Sequence, residues 1–91
     1  MAFQKTSVLT SKNSNTYSSS AEWIAEHGAC GTETPGVTNW TITADGTNAV
    51  TRVLQFATEA DGQAVGVIAG EKDASTRTWT TAHEHTGLVE V

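Results

Sequence analysis

An α+β domain is what this sequence predicts, and three observations carry the prediction. In the stretch Ala49–Gly70 the apolar residues first alternate and then change spacing. Val50, Leu54 and Phe56 share one parity and Val53 and Ala57 the other, whereas Ala60, Ala64, Val67 and Ile68 recur at helical intervals. A period of two giving way to a period near 3.6 marks a strand that runs into a helix. The second observation is Ser19 with Glu22 three residues on, at the head of a narrow apolar stripe. That is the pattern of a capping box at a helix start. The third is Asp45–Gly46, a turn dipeptide between two alternating runs, which reads as a hairpin.

Taken in order, Phe3–Thr10 predicts a first strand. Phe3, Lys5, Ser7 and Leu9 point one way, and Gln4, Thr6, Val8 and Thr10 the other. Its Val, Thr and Phe content argues for strand as much as the alternation does. Ser11–Ser20 is polar and rich in turn formers, with Tyr17 as its only large residue, and reads as a connection. Ser20–His27 is the first helix, with Ala21, Ile24, Ala25 and Gly28 as its stripe, Trp23 and His27 flanking it, and Gly28 as its stop. Ala29–Gly36 is a loop with a turn at Pro35–Gly36.

Val37–Ala44 alternates cleanly, with Trp40, Ile42 and Ala44 on one face. Asp45–Asn48 turns the chain into the strand Val50–Phe56. Thr58 then stands as the N-cap of a helix over Ala60–Ala69, with Glu59 and Asp61 in the first turn, where exposed N–H groups favour carboxylates. Gly62 and Gly66 weaken this helix but permit close backbone approach. Thr76–His83 is the last full strand, with Arg77, Trp79, Thr81 and His83 on one face. Leu88–Val91 is a tail able to pair at a sheet edge.

Strand, helix, strand, strand, helix, strand is the ferredoxin-like split βαβ order. It predicts one domain over residues 1–91, a four-stranded antiparallel sheet in the order 4-1-3-2, and both helices on one face. The alternative is a small all-β domain in which Ala60–Ala69 is a strand. At the level of element order the chain resembles dimeric ferredoxin-like domains. That resemblance implies a pocket between sheet and helices able to hold an aromatic compound or to support cofactor-free oxygenation.

Only 37% of the residues are apolar, many of them Ala, so core volume falls to Trp23, Trp40, Trp79, Phe3 and Phe56. Apolar residues on both parities of several strands leave Val8, Val53 and one of the Trp40 and Trp79 sets facing solvent. A second copy of the chain would cover them, and a homodimer is therefore expected. The net charge is −5, and Lys5, Lys12, Arg52, Lys72 and Arg77 form no cluster in sequence. Binding to nucleic acid or to an anionic membrane is not expected. One cysteine, and an N-terminus without a signal-peptide apolar run, lead us to expect a cytoplasmic protein.

His27, Cys30, His83 and His85 are the residues with transition-metal chemistry. His83 and His85 share a strand face, and His27 and Cys30 close the first helix. Nitrogen and thiolate donors suit Zn(II), but the spacing matches no zinc signature, so neither a metal nor any other cofactor is expected. The aromatic residues Trp23, Trp40, Trp79 and Tyr17, with Arg77 beside Trp79, are the candidates for a ligand pocket. No nucleophile elbow and no phosphate loop occurs in the chain. The expected role is a self-associating structural or protein-interaction domain without catalysis, and the alternative is a small-ligand binder or cofactor-free enzyme.

Overall fold

A computed structural model describes residues 2–29, 36–64, 77–82 and 88–91. The elements are β1 (Phe3–Ser11), α1 (Ser20–His27), β2 (Val37–Ala44), β3 (Ala49–Phe56), a second helix α2 described over residues 59–64, β4 (Trp79–Ala82) and β5 (Val89–Glu90). The sheet order is β2-β3-β1-β4, every described pair is antiparallel, and β5 pairs β1 beyond β4. This is the ferredoxin-like split βαβ fold, in the strand order the sequence predicts. Helical residues at 59–64 exclude the all-β alternative, while the remainder of the predicted Ala60–Ala69 helix lies outside the described residues.

Helix α1 has the predicted bounds but a different buried stripe. Ser19 caps it, accepting from Glu22 N at 3.3 Å, and Gly28, at φ 81°, closes it by donating to Ile24 O. A side chain rarely tolerates that positive φ, so glycine suits the stop. The Glu22 carboxylate does not return to Ser19. It accepts instead from Ser18 N at 2.8 Å and from Ser18 Oγ at 3.1 Å, one residue earlier than a capping box requires. Ala21 and Ala25 are exposed, and the helix buries Trp23 with Ile24 and His27 partly covered. An indole has far more apolar surface to bury than two methyl groups, so Trp23 decides how the helix is rotated.

Thr58 caps α2 as expected. Its Oγ1 accepts from Asp61 N at 3.2 Å and donates to Asp61 Oδ2 at 3.0 Å. A Cβ added at Gly62 would lie 2.5 Å from Leu88 Cδ1, so this glycine does admit the close approach that its position in the helix suggests. β4 starts later than the predicted Thr76–His83. Arg77 and Thr78 precede it, and Thr76 and His83 are not among the described residues.

The hairpin turn is tied to the β1–α1 connection through backbone bonds. Tyr17 N donates to Thr47 O and Gly46 N donates to Tyr17 O, both at 2.9 Å, while Ser11 N reaches Asn48 O at 2.8 Å. Within the turn, Asp45 Oδ1 accepts from Thr47 N and Thr47 Oγ1, which lowers the pKa of the Asp45 carboxyl.

Both helices lie on one face of the sheet, which carries two apolar clusters. The larger holds Leu9, Tyr17, Trp23, Ile42, Val50 and Trp79; the smaller holds Leu54 and Phe56 with Val37 and Leu88, and Trp40 touches both. The expectation that one Trp set meets solvent is overturned. Trp40 and Trp79 both face the helices, because Trp79 pairs with Ser11 and Trp40 with Leu54, two residues of the covered parity. The open face is mainly Thr41, Thr43, Thr51, Thr6 and Thr80, with Val8 at 43% exposure as its main apolar side chain.

Candidate functional site

Two polar constellations are built into the covered side. The first closes the end of α1. His27 is stacked on Trp23 at 4.2 Å between centroids, and Tyr17 meets both rings edge-on. Around the Tyr17 hydroxyl stand Glu26 Oε2 at 2.5 Å, His27 Nε2 at 2.9 Å, Asn13 Nδ2 at 3.2 Å and Ser11 Oγ at 3.3 Å. His27 Nδ1 faces Thr78 Oγ1, just ahead of β4. Asn13 and Asn15 amides also donate to Glu26.

Counting protons assigns the direction of these bonds. A phenol has one proton, and the close carboxylate of Glu26 takes it. The Tyr17 oxygen must then accept from His27 Nε2–H, which leaves Nδ1 to accept from the Thr78 hydroxyl. Ser11 Oγ, 3.1 Å from Nε2, therefore faces a protonated nitrogen rather than a base. The carboxyl pKa of Glu26 is lowered, chiefly by the Tyr17 hydrogen bond. That of His27 is also lowered, chiefly by partial burial, with the Glu26 charge opposing. The network satisfies itself and ties the β1–α1 connection, the end of α1 and the start of β4 together.

The second constellation is a polar row across the middle of the covered face. Ser7 and Arg52 are register partners on β1 and β3, and Lys5 sits one row along, opposite Leu54. Lys5, Ser7 and Arg52 are 1–2% exposed. Their row separates the Leu9–Val50 cluster from the Leu54–Phe56 cluster. The Arg52 guanidinium stands 5.8 Å from the Trp79 ring centroid, and that of Arg77 stands 4.6 Å from it. Ser7 Oγ and Arg77 Nε are buried with no hydrogen-bond partner among the described residues. Three of the chain's five permanent cations thus converge on one wall of the core.

All the predicted pocket residues lie on this side of the sheet. Trp23, Tyr17 and Trp79 are buried in one cluster, Trp40 packs against it, and Arg77 covers Trp79. Of the predicted metal-ligating residues, Cys30, His83 and His85 lie outside the described residues. Both ring nitrogens of His27 are engaged by protein hydroxyls, and His27 sits at the beginning of β4 rather than at its far end. Two turns of helix keep it level with Ser11. No group of three potential metal ligands occurs among the described residues. Sequence reasoning missed Ser11 and Glu26 in the network, and Lys5, Ser7 and Arg52 in the row. Parity was the available signal for the row, since Arg52 shares its face with Val50 and Leu54. No known protein family, curated protein or solved structure matches the chain.

Proposed function

We propose that this domain is a self-associating interaction module that pairs with a second copy of itself along β2. The observation that supports this is a strand that, among the described residues, lies at the sheet edge with little protection. β2 lies at the outer edge of the sheet, and Val37–Ala44 (VTNWTITA) contains no charged residue, proline or glycine. Natural edges are usually blunted by charge, proline or a bulge, since an unpaired row of N–H and C=O groups is a template for another strand. Here the register shift is confined to Val37/Asn39, and the strand beyond is regular. Strand addition would satisfy those groups through main-chain bonds. A two-fold axis across β2 closes the assembly at two copies. The scarce core volume of the chain favours the same outcome. No helix among the described residues is long and apolar enough to cross a membrane.

The test is sedimentation velocity at micromolar concentration, with a mass near twice 9.6 kDa expected. Lysines at Thr41 and Thr43, exposed on β2, would face their copies across the axis. T41K/T43K should weaken the dimer by about tenfold or more, as like charges opposed across strands repel. Val8→Lys, on the interior strand β1, should leave it intact. A wild-type chain that stays monomeric to its solubility limit rejects the proposal. A dimer lost in V8K but kept in T41K/T43K would place the contact on the open face instead.

A further inference from the structure

From the seating of Leu88–Val91 we infer a second binding function: the groove between β1 and α2 is a docking site for an extended peptide led by leucine. The chain's own Leu88–Val91 (LVEV) fills it as a resident segment, and a segment of like chemistry from another chain can take its place. The main-chain half of the groove is the stretch of β1 that β4 leaves unpaired among the described residues. β4 covers Val8–Ser11, whereas Gln4 pairs Val89, Phe3 pairs Glu90, and Val91 N donates to Ala2 O at 2.8 Å. A strand added to a sheet edge in this way draws its affinity from main-chain bonds.

Specificity comes from one side chain. Leu88 is half-buried, whereas Val89, Glu90 and Val91 are exposed. Leu88 packs on the buried pair Leu54 and Phe56, and its tip fills the space that a side chain at position 62 would need. Gly62 thus opens a leucine pocket in the wall of α2. The hold on the segment is light, one apolar anchor and a strand of two residues. A segment with so few buried contacts opens at far less cost than global unfolding. Being tethered, it also competes at high effective concentration, so the groove is closed to a guest until its own leucine leaves. The groove lies on β1, and β3 separates it from β2, so the inference does not rest on self-association along β2.

The experiment is NMR titration of the full chain with the peptide acetyl-Leu-Val-Glu-Val-amide, following the backbone amides of Phe3, Gln4 and Gly62. Leu88→Ala empties the pocket, and this variant should bind the peptide with saturable shifts at all three amides. The wild type, whose own leucine competes, should bind about tenfold more weakly or less. A peptide with alanine in place of leucine should lose about tenfold in affinity for L88A. Gly62→Ala supplies a readout of opposite sign in the two backgrounds. Alanine favours helix, so G62A should raise Tm in L88A, where the pocket is vacant, and lower it in the wild type, where Leu88 is displaced. Should L88A fail to fold, Leu88→Val, which shortens the anchor, takes its place with the same expected order of affinities. No saturable shift at these amides in the emptied variant overturns the inference. So does equal affinity for the leucine and alanine peptides, equal affinity of wild type and L88A, or a Tm that G62A raises in both.

Discussion

At the scale of single residues, Tyr17 does more than fill space. Its ring closes the larger apolar cluster, its hydroxyl sits among Glu26, His27, Asn13 and Ser11, and its backbone bonds the hairpin turn. Tyr17→Phe keeps the ring but strips the hydroxyl from its neighbours, and should cost about 1–3 kcal/mol in urea denaturation. It should also raise the Glu26 carboxyl pKa, measurable by NMR titration, because the Tyr17 bond is the main cause of its lowering. A pH dependence follows from the same network. Since folding lowers the pKa of His27, the unfolded chain takes up the proton first as pH falls. Stability attached to neutral His27 is full above about pH 6.5 and declines as pH drops through that value toward the folded one. Glu26, also lowered, adds a second loss below the ordinary carboxylate range. Melts of H27Q should lack the upper step that the wild type shows; an unchanged profile would detach His27 from it.

At the scale of elements, the helix starts are set by side chains close in sequence. Ser19 and Thr58 each accept from a backbone N–H three residues ahead. Ser19→Ala and Thr58→Ala should each cost about 1 kcal/mol by chemical denaturation, and because the caps share no partner their costs should add in the double variant. A cost near zero for S19A would mean that the Glu22–Ser18 bonds hold the helix start without it. The sheet edge behaves differently, since β4 and β5 share one side of β1 in two registers: Val8 pairs Ala82 and Gln4 pairs Val89.

At the scale of the molecule, the core is divided. The Ser7–Arg52 row parts two apolar clusters, and Trp40 is the residue that touches both. Trp40→Ala should therefore cost about 3 kcal/mol, more than a half-buried edge-strand residue normally would, as judged from urea midpoints. The open face needs no cover, since its threonines stay hydrated while suiting the extended backbone.

Sequence by itself determined the order of elements, both helix caps, the Asp45 turn and the 4-1-3-2 sheet. Each of these depends on periodicity, on a local side chain that satisfies a nearby backbone group, or on the few ways such elements connect. Only the tertiary structure decided which stripe of α1 is buried, that Trp40 and Trp79 share the covered face, and that Glu22 bonds Ser18. The same holds for the Tyr17–His27–Glu26 network, whose members come from a loop, a helix end and the approach to β4. It holds too for the cationic row. The alternation of β1 placed Lys5 and Ser7 beside Leu9, yet a charged residue on a mixed strand reads as solvent-facing until the opposing strand is known. Register with β3 sets Ser7 against Arg52 and turns both inward, a long-range pairing that no local pattern encodes.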